Sequence, residues 1–194
     1  QTLRNLPKHP QLWRFLLARM LFTDGLNTLF AFGGIVAAGT FGMPVAEVIL
    51  FGLILNITAG FGAFAFGWID DWIGARRTIL IGIVGIVIVG IPLLLVASKL
   101  IFIVLGAILG IFFGPVQAAS RSMMAQIIQP GTESEMFGLY ALSGKVTAFM
   151  GPWVVALVTA ATGSQRWGMA TVLPFLILGG LLLFFTVRDV PSRA

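Results

Sequence analysis

The stretch TILIGIVGIVIVGIPLLLVA, from Thr78 to Ala97, decides the fold class of this chain. It contains 20 consecutive residues without a charge. About 20 apolar residues are enough for a helix to cross roughly 30 Å of hydrocarbon. A strand of a membrane barrel would instead alternate apolar and polar residues over about ten positions. The stretch has no such alternation, so it predicts a membrane-spanning α-helix.

Five further stretches of similar length and composition lie on either side of it. Glycine, proline and charged residues divide the chain into predicted spans at residues 16–39, 46–69, 78–98, 100–120, 136–161 and 168–187. Of the 194 residues, 58% are hydrophobic and 10% are charged, whereas roughly 25% are charged in typical soluble domains. A soluble fold could not cover its surface with so few charged side chains. We therefore expect an all-α membrane protein with six transmembrane helices.

The basic residues predict the orientation of the chain in the membrane. Nine of the 12 Lys and Arg residues fall on one side of the six predicted spans, namely Arg4, Lys8, Arg14, Arg19, Arg76, Arg77, Arg121, Arg188 and Arg193. The other side holds Lys99 and Arg166, and Lys145 lies within a span. The positive-inside rule then predicts that both termini are cytoplasmic. Because the basic residues occur singly or in pairs, they do not form the clustered face that binds nucleic acid.

Two charged residues, Asp24 and Lys145, fall well inside predicted spans. A charge at the bilayer centre costs roughly 2.5–3.5 kcal/mol on insertion scales. Counted from the same side at 1.5 Å per residue, the two residues lie at depths of roughly 12 and 13.5 Å. Their matched depth and opposite charge predict a buried ion pair. The pair could fix helix packing, or Asp24 could carry a proton in transport with Lys145 holding it ionised.

Other polar side chains fall near the same depth. Asn27 and Thr28 lie on the helix face of Asp24, and Asn56 is near the middle of the second span. These side chains form either a polar belt near the midplane, where transporters hold substrate and ions, or a set of interhelical hydrogen bonds. Gln117 and Arg121 end the fourth span on one helix face. Arg121 could bind an anionic group or anchor the helix at the interface.

The second and third spans are joined by GWIDDWIGARR, residues 67–77. The segment reads as a tight turn at glycines that carries first acidic and then basic residues. Its aspartates could interact with a neighbouring helix N-terminus, and its arginine pair could bind a carboxylate or a lipid headgroup. The alternative is an interfacial turn whose arginines only set the orientation.

This segment resembles the signature loop of the major facilitator superfamily, which joins the second and third helices of each six-helix half. The matching positions are Gly67, Asp71, Gly74, Arg76 and Arg77. Trp72 and Ala75 stand where the family usually has basic residues, which makes the pattern degenerate. Further similar stretches are Asp24-Gly25, Gln117 to Ser122, Phe137 to Tyr140, Gly144-Lys145 and Gly151-Pro152. Together they resemble the C-terminal half of the autophagy-associated, vacuolar amino-acid-effluxer-like branch.

The resemblance implies one half of a twelve-helix transporter, built as two inverted three-helix repeats. It implies a single transmembrane domain over residues 12–190, with residues 1–11 as the end of a linker between halves and 191–194 as a cytoplasmic tail. Asp71 would be a gating residue that contacts the other half. The implied partners are that N-terminal half, the lipid bilayer and a small solute.

The sequence therefore predicts the C-terminal half of a secondary transporter that moves a small polar solute by alternating access. An amino acid is the solute that the resemblance implies, and a bacterial inner membrane is the expected location. The alternative is a self-sufficient six-helix protein that forms a transporter as a homodimer. An enzyme is not predicted, because the sole histidine, His9, lies outside the spans and no midplane carboxylate pair exists. No cofactor or metal is predicted.

Overall fold

A computed structural model describes residues 10–128 and 131–187, and most of each predicted span is helical. The helices are α1 (Pro10–Phe41), α2 (Val45–Ile73), α3 (Ala75–Leu95), α4 (Lys99–Ile127), α5 (Glu133–Val146), α6 (Met150–Thr162), α7 (Gln165–Ala170) and α8 (Val172–Thr186). By length and composition they provide six segments able to cross a membrane, with α5–α6 and α7–α8 each forming one interrupted span. The six predicted spans and the all-α fold class are confirmed.

The packing of the helices divides the bundle into two equivalent repeats, α1–α3 and α4–α8. The first helix of each repeat packs along the third helix of the other repeat, α1 along α8 and α4 along α3. The second span of each repeat packs on the first helix of the other repeat, α2 on α4 and the α5–α6 span on α1. Since each repeat has three crossings, the second repeat starts on the opposite side of the membrane from the first. The two repeats are therefore inverted relative to each other, as predicted.

Glycines bring α2 and α4 into backbone contact. A Cβ atom at Gly62 would clash with the carbonyl oxygen of Ile111, and one at Gly114 would clash with that of Ala59. At Gly110 a Cβ atom would lie 2.9 Å from the Leu55 carbonyl oxygen. Small residues at four-residue intervals allow such close approach between membrane helices. The glycines at positions 62, 110 and 114 therefore serve the packing of α2 against α4.

Two arginines cap the ends of the antiparallel pair α3 and α8. Arg76, at the start of α3, donates to the carbonyl oxygen of Phe184 in the last turn of α8. Arg166, at the start of α7, donates to the carbonyl oxygens of Leu94 and Leu95 at 3.3 and 3.2 Å. The last carbonyls of a helix have no intrahelical partner and carry partial negative charge. Each arginine therefore stabilises the end of the other repeat's third helix.

We expect the Arg166→Ala substitution to lower the free energy of unfolding by about 1 kcal/mol, through the lost hydrogen bonds and the lost charge at a helix C-terminus. The measurement is the thermal unfolding midpoint of the detergent-purified full-length protein. Arg14→Ala is the control, because Arg14 is exposed and makes no hydrogen bond within the described part of the chain. Equal shifts for the two variants would contradict the capping role.

Several predicted helix ends are too short. The second span extends to Ile73 and the fourth to Ile127, so the signature segment is helical except at Gly74 and the fourth helix runs two turns further than expected. The polar residues at these ends mark the edge of the hydrocarbon and not the end of the helix. Likewise α1 begins at Pro10, inside the predicted linker of residues 1–11. Residues 1–9 of that linker and the predicted tail, residues 191–194, lie outside the described residues.

The fifth span is broken at residues 147–149, one turn before Gly151-Pro152. Proline lacks the amide hydrogen that would bond the carbonyl four residues earlier, and its ring clashes with that carbonyl. For Pro152 the carbonyl concerned belongs to Ala148, which lies in the break. Pro152 itself sits in the first turn of α6, where proline is tolerated. The break leaves the N-terminus of α6 inside the membrane-spanning region.

Candidate functional site

A buried carboxylate from α1 caps the N-terminus of α6. Asp24 is 1% exposed, and its Oδ2 atom accepts a hydrogen bond from the Gly151 amide at 2.7 Å. The first amides of a helix are unsatisfied donors and carry partial positive charge, so they favour an anion. Gly151 permits this contact, since a Cβ atom there would clash with the Thr28 hydroxyl and lie 3.2 Å from Asp24 Oδ2. The span break and the buried acid therefore form one site.

Unsatisfied groups remain around that cap. The second carboxylate oxygen of Asp24, Oδ1, and the hydroxyl of Thr28 are both buried and have no hydrogen-bond partner within the described residues. One helical turn closer to the N-terminus of α1, the Thr147 hydroxyl donates to the Met20 carbonyl oxygen at 3.2 Å. Buried polar groups without partners are rare in native proteins, so these two set the cap apart from the apolar contacts around it.

A buried arginine lies next to the acid on α1. Arg19 is 6% exposed, and its Nη1 atom donates to the Tyr140 carbonyl oxygen at 2.7 Å and to the Ser143 hydroxyl at 2.8 Å. Its guanidinium lies 3.5 Å from the centre of the Tyr140 ring. Arg19 was predicted only as one of the basic residues on one side of the spans, and its burial between α1 and α5 was not predicted. We call Arg19, Asp24, Thr28, Tyr140, Ser143 and Gly151 the α1–α5/α6 cluster.

The predicted ion pair between Asp24 and Lys145 is wrong. Both residues belong to the described part of the chain, and no salt bridge joins them there. Asp24 contacts Gly151 instead, while Lys145 is exposed in the last turn of α5. A cation is favourable at that position because of the partial negative charge at a helix C-terminus. Along the contact between α1 and the fifth span, Thr147 lies opposite Met20 and Gly151 lies opposite Asp24, so Lys145 does not lie level with Asp24.

We expect the Lys145→Met substitution to leave the pH dependence of any transport by the full-length protein unchanged, because the lysine does not contact Asp24. The measurement is solute uptake into proteoliposomes at several external pH values. Asp24→Asn in the same assay is the comparison. A pH profile that shifts in the lysine variant would show that the two charges interact in a state other than the one described.

The remaining predicted members of the polar belt do not join the cluster. Asn27 and Asn56 are exposed, and the Asn56 side chain donates to the Gly52 carbonyl oxygen of its own helix at 2.8 Å. The predicted interhelical hydrogen bond of Asn56 is therefore wrong, and for Asn27 the described residues contain none. Gln117 is half-buried and Arg121 is exposed on α4. Their proposed role in the solute pathway stays a prediction.

The signature segment forms a helix end with a one-residue turn. Gly67 lies within α2, and Gly74 has a φ of +87°, a backbone conformation that favours glycine. Asp71 and Arg77 are exposed, and Arg76 caps α8 as described above. Asp70 and Asp71 line a cleft of about 500 Å³ between α2, α3 and α4, together with Thr78 and Ser122. The gating role of Asp71 stays a prediction.

Only part of the α1–α5/α6 cluster could be predicted from the sequence. Arg19 lies five residues before Asp24 inside an otherwise apolar stretch, so a second charge within the span was detectable. The roles of Tyr140 and Ser143 were not, since they depend on which face of α5 meets α1. Within residues 10–128 and 131–187, no group of three or more His, Asp or Glu side chains is placed to hold a metal ion.

Six membrane-crossing segments, two inverted three-helix repeats and a buried acid at a broken helix define a multi-pass helical membrane protein with a polar site between its helices. The family model described as "Vacuole effluxer Atg22 like" matches residues 1–192. The chain belongs to this family, which confirms the resemblance found in its sequence.

Individual relatives agree with this assignment. The chain is 23% identical over 192 residues to a Bacillus subtilis protein named uncharacterized MFS-type transporter YxiO, covering 99% of this chain and 45% of that protein. It is 26% identical to autophagy-related protein 22 of Cryptococcus neoformans and 31% identical to that of Coccidioides immitis, each over 87% of this chain. These matches cover 32% and 31% of the two fungal proteins. The chain thus spans less than half the length of these relatives.

Proposed function

We propose that this chain is the C-terminal half of a secondary active transporter that moves a small polar solute across a membrane by alternating access. The observation that carries the proposal is the hydrogen bond between Asp24 and the N-terminus of α6 in the membrane interior. Ionisable residues are costly there and mark solute or ion pathways. Broken helices whose N-termini point at anionic groups are a recurring feature of transporter sites.

In the proposed mechanism, Asp24 carries the coupling proton. The ionised carboxylate is held by the Gly151 amide and by the helix dipole of α6, an interaction of roughly 0.3–2 kcal/mol. A proton on the carboxylate removes this charge interaction and frees α6 to move away from α1. In this mechanism the N-terminus of α6, and not Lys145, holds Asp24 in its ionised form. Movement of the α5–α6 span relative to α1 would then open and close one side of the solute pathway.

An amino acid is the proposed solute, because family members carry the description of vacuole effluxers and a small zwitterion suits a site with an arginine and an aspartate on one helix. The proposed partner is the remainder of the full-length protein, which supplies the other six-helix half. In this proposal both termini of the chain are cytoplasmic and the location is a bacterial inner membrane.

The test is reconstitution of the full-length protein into proteoliposomes, followed by uptake of each of a panel of radiolabelled L-amino acids. We expect at least one to accumulate when a proton gradient is imposed and to stop accumulating when an ionophore removes the gradient. Absence of uptake above protein-free vesicles, with folded protein verified in the same vesicles, would contradict the proposal. The alternative is a six-helix protein that forms the transporter as a homodimer. It would show a native mass equal to two six-helix subunits.

A further inference from the structure

Arg19 carries a permanent charge that no acid in the described part of the chain neutralises. Arginine stays protonated in proteins, and charges taken out of water are normally paired. Within the described residues, Arg19 contacts only neutral groups, namely the Tyr140 carbonyl oxygen, the Ser143 hydroxyl and the Tyr140 ring. Asp24 uses its Oδ2 atom on the Gly151 amide. The buried guanidinium therefore has no anionic partner among the described residues.

Two neighbouring donors in the contact between Arg19 and Tyr140 have no hydrogen-bond acceptor among the described residues. The Nε atom of Arg19 and the hydroxyl of Tyr140 are both buried without a partner within the described residues. Their residues are 6% and 7% exposed, respectively. An arginine N–H and a phenol O–H both donate to oxygen, and a carboxylate has two oxygens that accept together. The unused pair matches an oxyanion in charge and in hydrogen-bond type.

The neighbouring residues hold the guanidinium in a fixed position. The ring of Tyr140 supports one face of it, and the hydrogen bonds of Nη1 tie one edge to α5. A Cβ atom at Gly144 would come within 3.0 Å of Nη1 and 3.2 Å of Nη2, so the glycine provides the space that the guanidinium fills. An arginine held in this way presents its Nε atom in one direction, as selective recognition of a carboxylate requires.

We propose that Arg19 and Tyr140 bind the carboxylate group of the transported solute. The inference rests on the proposed function and assigns the group on the solute that these two residues recognise, its carboxylate. Asp24 lies five residues further along α1, a rise of roughly 7.5 Å along the helix axis, and both side chains contact the α5–α6 span, so a small solute bound at the arginine also lies near the proposed proton carrier. Protein covers both donors in the conformation described, and the carboxylate enters when α5 separates from α1.

Tyr140→Phe is the decisive variant, because it removes only a hydroxyl that has no partner in the structure. If Tyr140 only supports the arginine with its ring, Tyr140→Phe keeps that ring and should leave uptake unchanged. The measurement is uptake by the full-length protein in proteoliposomes, with L-alanine, L-leucine and L-glutamine and the carboxamide of each as probes. We expect the KM for the amino acids to rise about tenfold, as for a lost hydrogen bond to a charged group, and the KM for the amides to stay unchanged.

The outcomes separate this inference from the proposed function. If the unaltered protein transports none of the probes, the proposed function fails. If it transports them and Tyr140→Phe leaves every KM unchanged, the carboxylate site alone is refuted. Arg19→Lys keeps the charge but loses the Nε donor, so we expect a weaker preference for acid over amide. A lower melting temperature with unchanged preference would show that the guanidinium only holds α5 against α1, and would also refute the site.

Discussion

A Gly62→Ala substitution is expected to destabilise the protein by about 1–3 kcal/mol, the usual cost of overpacking a close contact. The new methyl group would be directed at the carbonyl oxygen of Ile111. That oxygen belongs to the backbone of α4 and cannot rotate away as a side chain can. Relief would require α2 and α4 to separate along their whole contact, including the contacts made by Gly110 and Gly114. The measurement is the thermal unfolding midpoint of the full-length protein in detergent.

Gly60 provides a matched control two residues away on the same helix. A Cβ atom at Gly60 meets nothing within 4 Å. Gly60→Ala therefore adds the same methyl group without a clash, and alanine is favoured over glycine in a helix by up to about 1 kcal/mol. We expect the control to leave the unfolding midpoint unchanged or to raise it. A loss of stability as large in Gly60→Ala as in Gly62→Ala would contradict the backbone contact between α2 and α4.

The spans were predictable because membrane insertion imposes a length and a composition that few other structures satisfy. The run from Thr78 to Ala97 needs no neighbour to be recognised as a helix that crosses hydrocarbon. Helix ends were less predictable, since α2 and α4 continue beyond the hydrocarbon into polar sequence. Composition changes at the membrane edge, whereas backbone hydrogen bonding continues until a residue such as Gly74 stops it.

The partners of the buried charges were not predictable from position along the chain. Counting residues into a span gives only an approximate depth, and in the structure Gly151, not Lys145, lies against Asp24. The direction in which a side chain points depends on which helices pack against each other and on where the fifth span breaks. The break at residues 147–149 leaves Lys145 at an exposed helix end and places the Gly151 amide against Asp24. Tertiary packing therefore determined the site that the sequence only outlined.

An Asp24→Asn variant is expected to abolish proton-driven accumulation of solute while the protein stays folded. The asparagine carbonyl oxygen can still accept the hydrogen bond of the Gly151 amide, so the cap on α6 persists. The amide cannot gain or lose a proton, so the proposed coupling step is removed. Exchange of labelled for unlabelled solute across the vesicle membrane should continue, because exchange does not require net proton movement.

Two further variants distinguish a coupling role from a structural one. Asp24→Ala removes the acceptor and leaves the buried Gly151 amide unsatisfied, at a cost of about 1–3 kcal/mol. It should therefore lower the unfolding midpoint, whereas the asparagine variant should not. Arg14→Ala is the control on the same helix, since Arg14 is exposed, and should preserve both accumulation and exchange. If the asparagine variant retained accumulation against a gradient, Asp24 would be a helix cap and not the proton carrier. If that variant instead unfolded like Asp24→Ala, the hydrogen bond to Gly151 would depend on the negative charge itself.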